Sequence, residues 1–209
     1  MEPYPVSFSV DYPDRPLNRA SSAFRLFTII PIAIVIGLLE HANASYRSGG
    51  SNDTWFMAGT AGGTVIAPLV LMLLFRQKYP RWWYDWNLEL ARFGNRVTAY
   101  GLLMDDTYPS TDEHQSVRLE YPEVQGPELH RWLPLVKWFL AIPHYIVLVF
   151  LGIAAFFVVV WVWFAILFTG HYPRGAFEFV EGVLRWGNRV TGYAFTLVTD
   201  SYPPFSLAA

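Results

Sequence analysis

Residues 92–109 read RFGNRVTAYGLLMDDTYP, and residues 185–203 read RWGNRVTGYAFTLVTDSYP. Arg92, Gly94, Asn95, Arg96, Val97, Thr98 and Tyr100 recur as Arg185, Gly187, Asn188, Arg189, Val190, Thr191 and Tyr193, about 93 residues on. Such self-similarity at one spacing constrains the fold strongly. Each copy must form the same supersecondary unit and find a partner for its apolar face. The match extends backwards. Tyr79-Pro80-Arg81 pairs with Tyr172-Pro173-Arg174, Pro31 with Pro143, and SFSVDYP (7–13) with SVRLEYP (116–122). The halves are therefore expected at 1–110 and 111–209, each reading strand, apolar hairpin, amphipathic segment, Gly-Asn-Arg turn, strand. The first half carries an extra polar, Gly/Ser-rich stretch at 41–54, which marks a loop.

The solvent for these units follows from the charges. Only 15% of the residues are charged and 53% are hydrophobic, whereas soluble domains carry nearer a quarter charged residues. No Asp, Glu, Lys or Arg stands between Pro143 and Thr169, and an uncharged apolar run of that length reads as membrane-spanning. The stretch 132–168 as one helix would measure roughly 55 Å at 1.5 Å per residue, more than the ~30 Å hydrocarbon core. Two short helices turning near Gly152 fit better, and a single long kinked helix is the alternative. The expected spans are then about 24–39, 56–75, 132–150 and 153–168.

Arg15, Arg19 and Arg25 precede the first span, Arg76, Lys78 and Arg81 follow the second, and Arg131, Lys137 and Arg174 flank the others. The positive-inside rule places both termini in the cytoplasm and loop 40–54 on the far side. With two spans per half, the halves become parallel repeats about an axis normal to the membrane. The opening MEPYPVSFSVDYP has neither the basic nor the apolar region of a cleaved leader. Absent cysteines exclude disulfides and thiol chemistry. A net charge of −2 gives no ground for nucleic-acid binding.

Segments 81–93 and 174–186 each start after a proline and end near a glycine, as helices do. Their Trp-rich faces predict either helices lying in the bilayer interface or aromatic stripes packed on the protein's own sheet. Trp82, Trp83, Trp86, Trp132, Trp138, Trp161, Trp163 and Trp186 are the candidate membrane or interface anchors. Gly94 and Gly187 are expected as left-handed helix ends, with strands following at about 97–105 and 190–199. Together with 5–11 and 116–121, these would make a small cytoplasmic sheet. Arg96 and Arg189, with Arg92 and Arg185 beside them, either pair with acids and cap carbonyls or bind a lipid phosphate. The fold class expected is an integral membrane α+β protein: a tandem repeat of four short spans, two amphipathic helices and a small sheet.

WLPLVKWFLAIPHYIVLVFLGIAAF at 132–156, with FAILFTGHYPRG onward to DSYPPF at 200–205, resembles the bacterial membrane proteins of domain-of-unknown-function family 4389. The second half carries the resemblance and the first reads as a divergent copy, with Ile32-Ala33 where the second has His144-Tyr145. The resemblance implies an actinobacterial-type integral membrane protein and assigns no activity; the localisation expected is the bacterial inner (cytoplasmic) membrane, multi-pass.

Few residues carry chemistry. His41, His114, His130, His144 and His171 form no metal-ligand spacing, so no metal is expected. His144 lies within an expected span, where an ionisable group is a functional candidate. Its readings are structural, ligand-binding or proton-relaying. Asp105 and Asp106 precede Tyr108-Pro109 and read as a solvated turn. TAGGT (60–64) suits close helix packing in lipid. The expected function is a non-catalytic accessory or scaffold subunit of a larger membrane complex, with membrane lipids and other membrane subunits as partners. No cofactor is expected beyond a bound lipid. A lipid or small-hydrophobe carrier using the groove between the repeats is the alternative. A lipid-modifying enzyme using His144 or the Asp105/Asp106 pair comes third.

Overall fold

The computed structural model describes residues 4–41, 61–111, 113, 115–124 and 129–208. The expected loop 41–54, the start of the second span and His114 lie largely or wholly outside them.

Strand β1 (Ser7–Val10) pairs antiparallel with β2 (Val117–Glu120), Phe8 standing opposite Leu119. Both alternate buried and exposed residues, as strands with one covered face do. The covering helices are α5 (Arg81–Gly101) under β2 and α8 (Arg174–Ala194) under β1. Below them lie the short polar α1 (Arg19–Ala23) and the apolar elements α2 (Arg25–Thr28), α3 (Ile30–His41), α4 (Ala61–Arg76), α6 (Leu133–Leu140) and α7 (Ile142–Thr169). The molecule is thus layered as sheet, amphipathic helices, apolar helices.

Several sequence expectations change here. The strands expected at 97–105 and 190–199 are helix as far as Gly101 and Ala194, so α5 and α8 outrun their expected ends at 93 and 186. Gly94 and Gly187 sit inside these helices, where an interior glycine costs about 1 kcal/mol but does not end them. Polar side chains in the same stretch are satisfied within the helix: Asn95 donates to the Ala91 carbonyl (2.8 Å) and Thr98 to that of Gly94 (2.8 Å). The left-handed residues come later and are leucines, Leu103 (φ 64°) and Leu197 (φ 56°), both buried. Met104 N–H then bonds back to the Ala99 carbonyl (2.9 Å), closing the α5 terminus.

The expected hairpin over 132–168 is instead α6 followed by one unbroken α7. Gly152 lies mid-helix among apolar neighbours, with no turn-forming residue beside it. The break falls at Ala141, just before Pro143, which occupies the first turn of α7 where its missing N–H disrupts no bond. The first expected span is likewise divided, with α2 ending at Thr28 before α3 begins.

The contacts holding the middle layer come in matched pairs. Arg92 Nε donates to the Leu119 carbonyl (3.0 Å) and Arg185 Nε to the Phe8 carbonyl (2.9 Å), so each helix holds one of two facing strand residues. Asn95 and Asn188 donate to each other's side-chain oxygens, both at 2.8 Å. Buried Arg25 bonds the Asp105 carbonyl (2.8 Å) and lies over the Tyr100 ring. Buried Lys137 bonds the Thr199 carbonyl (2.8 Å) and lies over the Tyr193 ring. The strands are exchanged between the halves: β1 packs on α8 and β2 on α5. A half alone would therefore leave its amphipathic helix without its own covering strand. In a double-mutant cycle, Asn95→Ala and Asn188→Ala are expected to show a coupling of about 1 kcal/mol in unfolding free energy, because either change leaves the other side-chain oxygen without its donor, while the amide nitrogen keeps its bond to its own helix.

Candidate functional site

The four candidate arginines lie in the middle layer, facing the sheet and loops. Arg185 makes an ion pair with Glu181 (2.7 Å) and bonds the Phe8 and Leu207 carbonyls. Glu181 in turn accepts from Val10 N–H (3.1 Å), so the pair ties helix to strand from both charges. Arg92 pairs with Glu89 (2.7 Å) in a more exposed setting. Arg96 donates to the Ser110 carbonyl (2.7 Å) and Arg189 to that of Ser206 (3.4 Å), both side chains being buried. Burial, and secondarily the charge of Arg185, lowers the pKa of Arg189. A cavity of about 960 Å³ opens beside Arg92 and Arg96. It is also lined by Arg118 and by Asp11, Glu89, Asp105, Glu113 and Glu120, so five acids face three arginines. That balance disfavours a phosphate. Asp105 is a turn residue, accepting from Thr107 N–H (3.0 Å) and Ser116 Oγ (2.6 Å).

His144 is fully buried near the start of α7. Its Nδ1 accepts from Trp186 Nε1 (3.0 Å), so the neutral ring carries its proton on Nε2. Phe205 stacks on it at 4.0 Å between centroids, and Tyr202 lies at 4.9 Å. Nε2 has no protein partner among the described residues. The ring thereby fastens α7 to α8 and to the C-terminal turn. The sequence shows His144 as unusual but not its partners, because Trp186, Tyr202 and Phe205 are distant in the chain.

The tryptophans divide between two settings. Trp82, Trp86, Trp132, Trp138 and Trp161 are exposed. Trp186 is buried at His144, half-buried Trp163 donates to the Ser22 carbonyl (3.0 Å), and Trp83 is half-buried against Leu69, Leu73, Leu129 and Leu197. The exposed set belongs to a wider surface. On α7, Ile142, Ile146, Val149, Phe150, Ile153, Phe156, Phe157, Val160, Trp161, Phe164 and Phe168 are exposed, a stripe recurring every three or four residues. Phe24, Phe27, Ile30 and Ile34 on and beside α2 and α3, Leu71 and Phe75 on α4, and Phe139 on α6 are exposed as well. Monomeric soluble proteins rarely leave so much contiguous apolar surface uncovered. Among the described residues, α7 is the one helix long and apolar enough to cross a membrane.

The segment holding His144, Trp186, Tyr202, Phe205 and the α7 stripe has a counterpart among known families. Residues 132–206 match the model of DUF4389, a domain of unknown function. The match is to a single copy and takes in α6, α7, α8 and the C-terminal turn. No curated protein and no solved structure matches the chain.

Proposed function

We propose that this chain is a non-catalytic protein of the bacterial cytoplasmic membrane, an accessory or scaffold subunit of a larger membrane assembly. One observation carries the reading: its apolar layer is broad, exposed and free of acid. No Asp or Glu occurs from Arg15 to Leu39, from Ala61 to Tyr84 or from Leu129 to Phe177, the segments that build that layer. Exposed Trp132, Trp138 and Trp161 suit a lipid–water boundary or a protein interface. The polar sheet, with the termini, then faces the cytoplasm. We read the two halves as copies of one unit, the DUF4389 segment lying in the second. The matched arginine, asparagine and buried-cation contacts support that reading.

The test is purification from the native membrane in mild detergent, with mass spectrometry of everything retained. A fixed stoichiometric set of protein subunits is the expected result. A lone chain carrying one lipid class would overturn it in favour of a lipid carrier.

A further inference from the structure

We infer that α7 lies along the membrane plane with one side in lipid, both its ends on the same face of the bilayer, although it is long enough to cross. The inference rests on the membrane reading above and specifies its geometry.

A lone spanning helix leaves a polar, extramembrane body at one end. α7 touches the body along its whole length. At its start, His144 is bonded to Trp186 of α8, and Ala141 is fully buried. In its middle, Ala155 joins the same core as Phe177 and Val180 of α8. Near its end, Trp163 is bonded to Ser22, Ile166 is fully buried, and Leu17 N–H bonds the Gly170 carbonyl (2.8 Å) just beyond. The buried and half-buried positions His144, Leu148, Leu151, Ala155, Val158, Val162 and Ile166 follow each other at helical spacing. The exposed apolar stripe lies opposite.

Between His144 and Ile166 the helix rises about 33 Å, the full depth of a hydrocarbon core of about 30 Å. Set across the bilayer, it would hold α8 and β1 beside it at membrane depth. The Glu181–Arg185 pair and the exposed Asp11–Arg118 pair would lie near the hydrocarbon. So would the open edges of a two-stranded sheet, which lipid does not tolerate. Set along the surface, the same helix puts only apolar atoms into lipid. Exposed cations then flank the α6–α7 segment, Arg131 before α6 and Arg19 and Arg174 by the close of α7, where anionic headgroups lie.

The natural absence of cysteine makes the test clean. Arg131→Cys, at an exposed position before α6, which leads into α7, and His171→Cys, at an exposed position just after α7, are introduced singly and reacted with a membrane-impermeant maleimide in spheroplasts and in inverted vesicles. Both are expected to react in inverted vesicles and to be protected in spheroplasts. Reaction from opposite sides would overturn the proposal while leaving membrane residence intact. Recovery of the chain in the soluble fraction would instead overturn the membrane reading itself. A second readout uses spin labels at Ile146, Phe157 and Phe168. Equal shallow depths are expected, and a maximum at Phe157 would mean a spanning helix.

Discussion

Lys137→Ala is expected to destabilise the protein by about 3–5 kcal/mol, the range found when one partner of a buried ion pair is removed. Lys137 is fully buried, its ammonium 2.7 Å from Asp200 and 2.8 Å from the Thr199 carbonyl, over the Tyr193 ring. Truncation leaves a carboxylate and a carbonyl facing an apolar void. Asp200 also accepts the His130 N–H, so the loss reaches the entry to α6. At roughly 2–4 °C per kcal/mol for a chain of this size, the midpoint of a thermal melt in detergent should fall by about 10 °C. Lys137→Met combined with Asp200→Asn should recover most of that, because it removes both charges and refills the space. A melt unchanged by Lys137→Ala would show that the cation does not hold the C-terminal turn.

Arg185→Ala is expected to cost about 3 kcal/mol or more, and Arg92→Ala about 1–2 kcal/mol, although the two occupy matching positions. Both hold a strand carbonyl across the exchanged halves. The Arg185–Glu181 pair is well covered, with side chains 13% and 14% exposed, and Arg185 adds the Leu207 carbonyl. The Arg92–Glu89 pair is 32% and 58% exposed, so water replaces much of what it loses. Chemical denaturation of the two variants side by side reads the difference. Equal costs would contradict the unequal burial on which the prediction rests.

These arginines also show where the sequence was legible. Their recurrence marks positions that make matching contacts, and the strands expected at about 5–11 and 116–121 form at 7–10 and 117–120, the first readable from its alternation and the second from its likeness to the first. The Gly-Asn-Arg stretch misled because glycine and β-branched residues are general signs of helix ends and strands. Here Asn95 and Thr98 bond back to their own helix, and the helix continues. The exchange of strands left no local mark, since Phe8 meets Arg185 across most of the chain. His144 stood out by its place in an apolar run, whereas its aromatic surround came from residues brought near only by the α7–α8 packing. The hairpin expected at Gly152 failed for a related reason. The length argument assumed a helix crossing the bilayer, and a helix covered along one whole side has no such limit.

Membrane fractionation tests the central claim most directly. Membranes holding the intact chain are washed with high salt and then with alkaline carbonate, and the chain is followed in pellet and supernatant. Because the apolar layer meets lipid through buried hydrophobic area, which neither wash weakens, the chain should stay in the pellet until detergent is added. Release into the supernatant by either wash would contradict the account, and the exposed face of α7 would then need a protein partner to cover it.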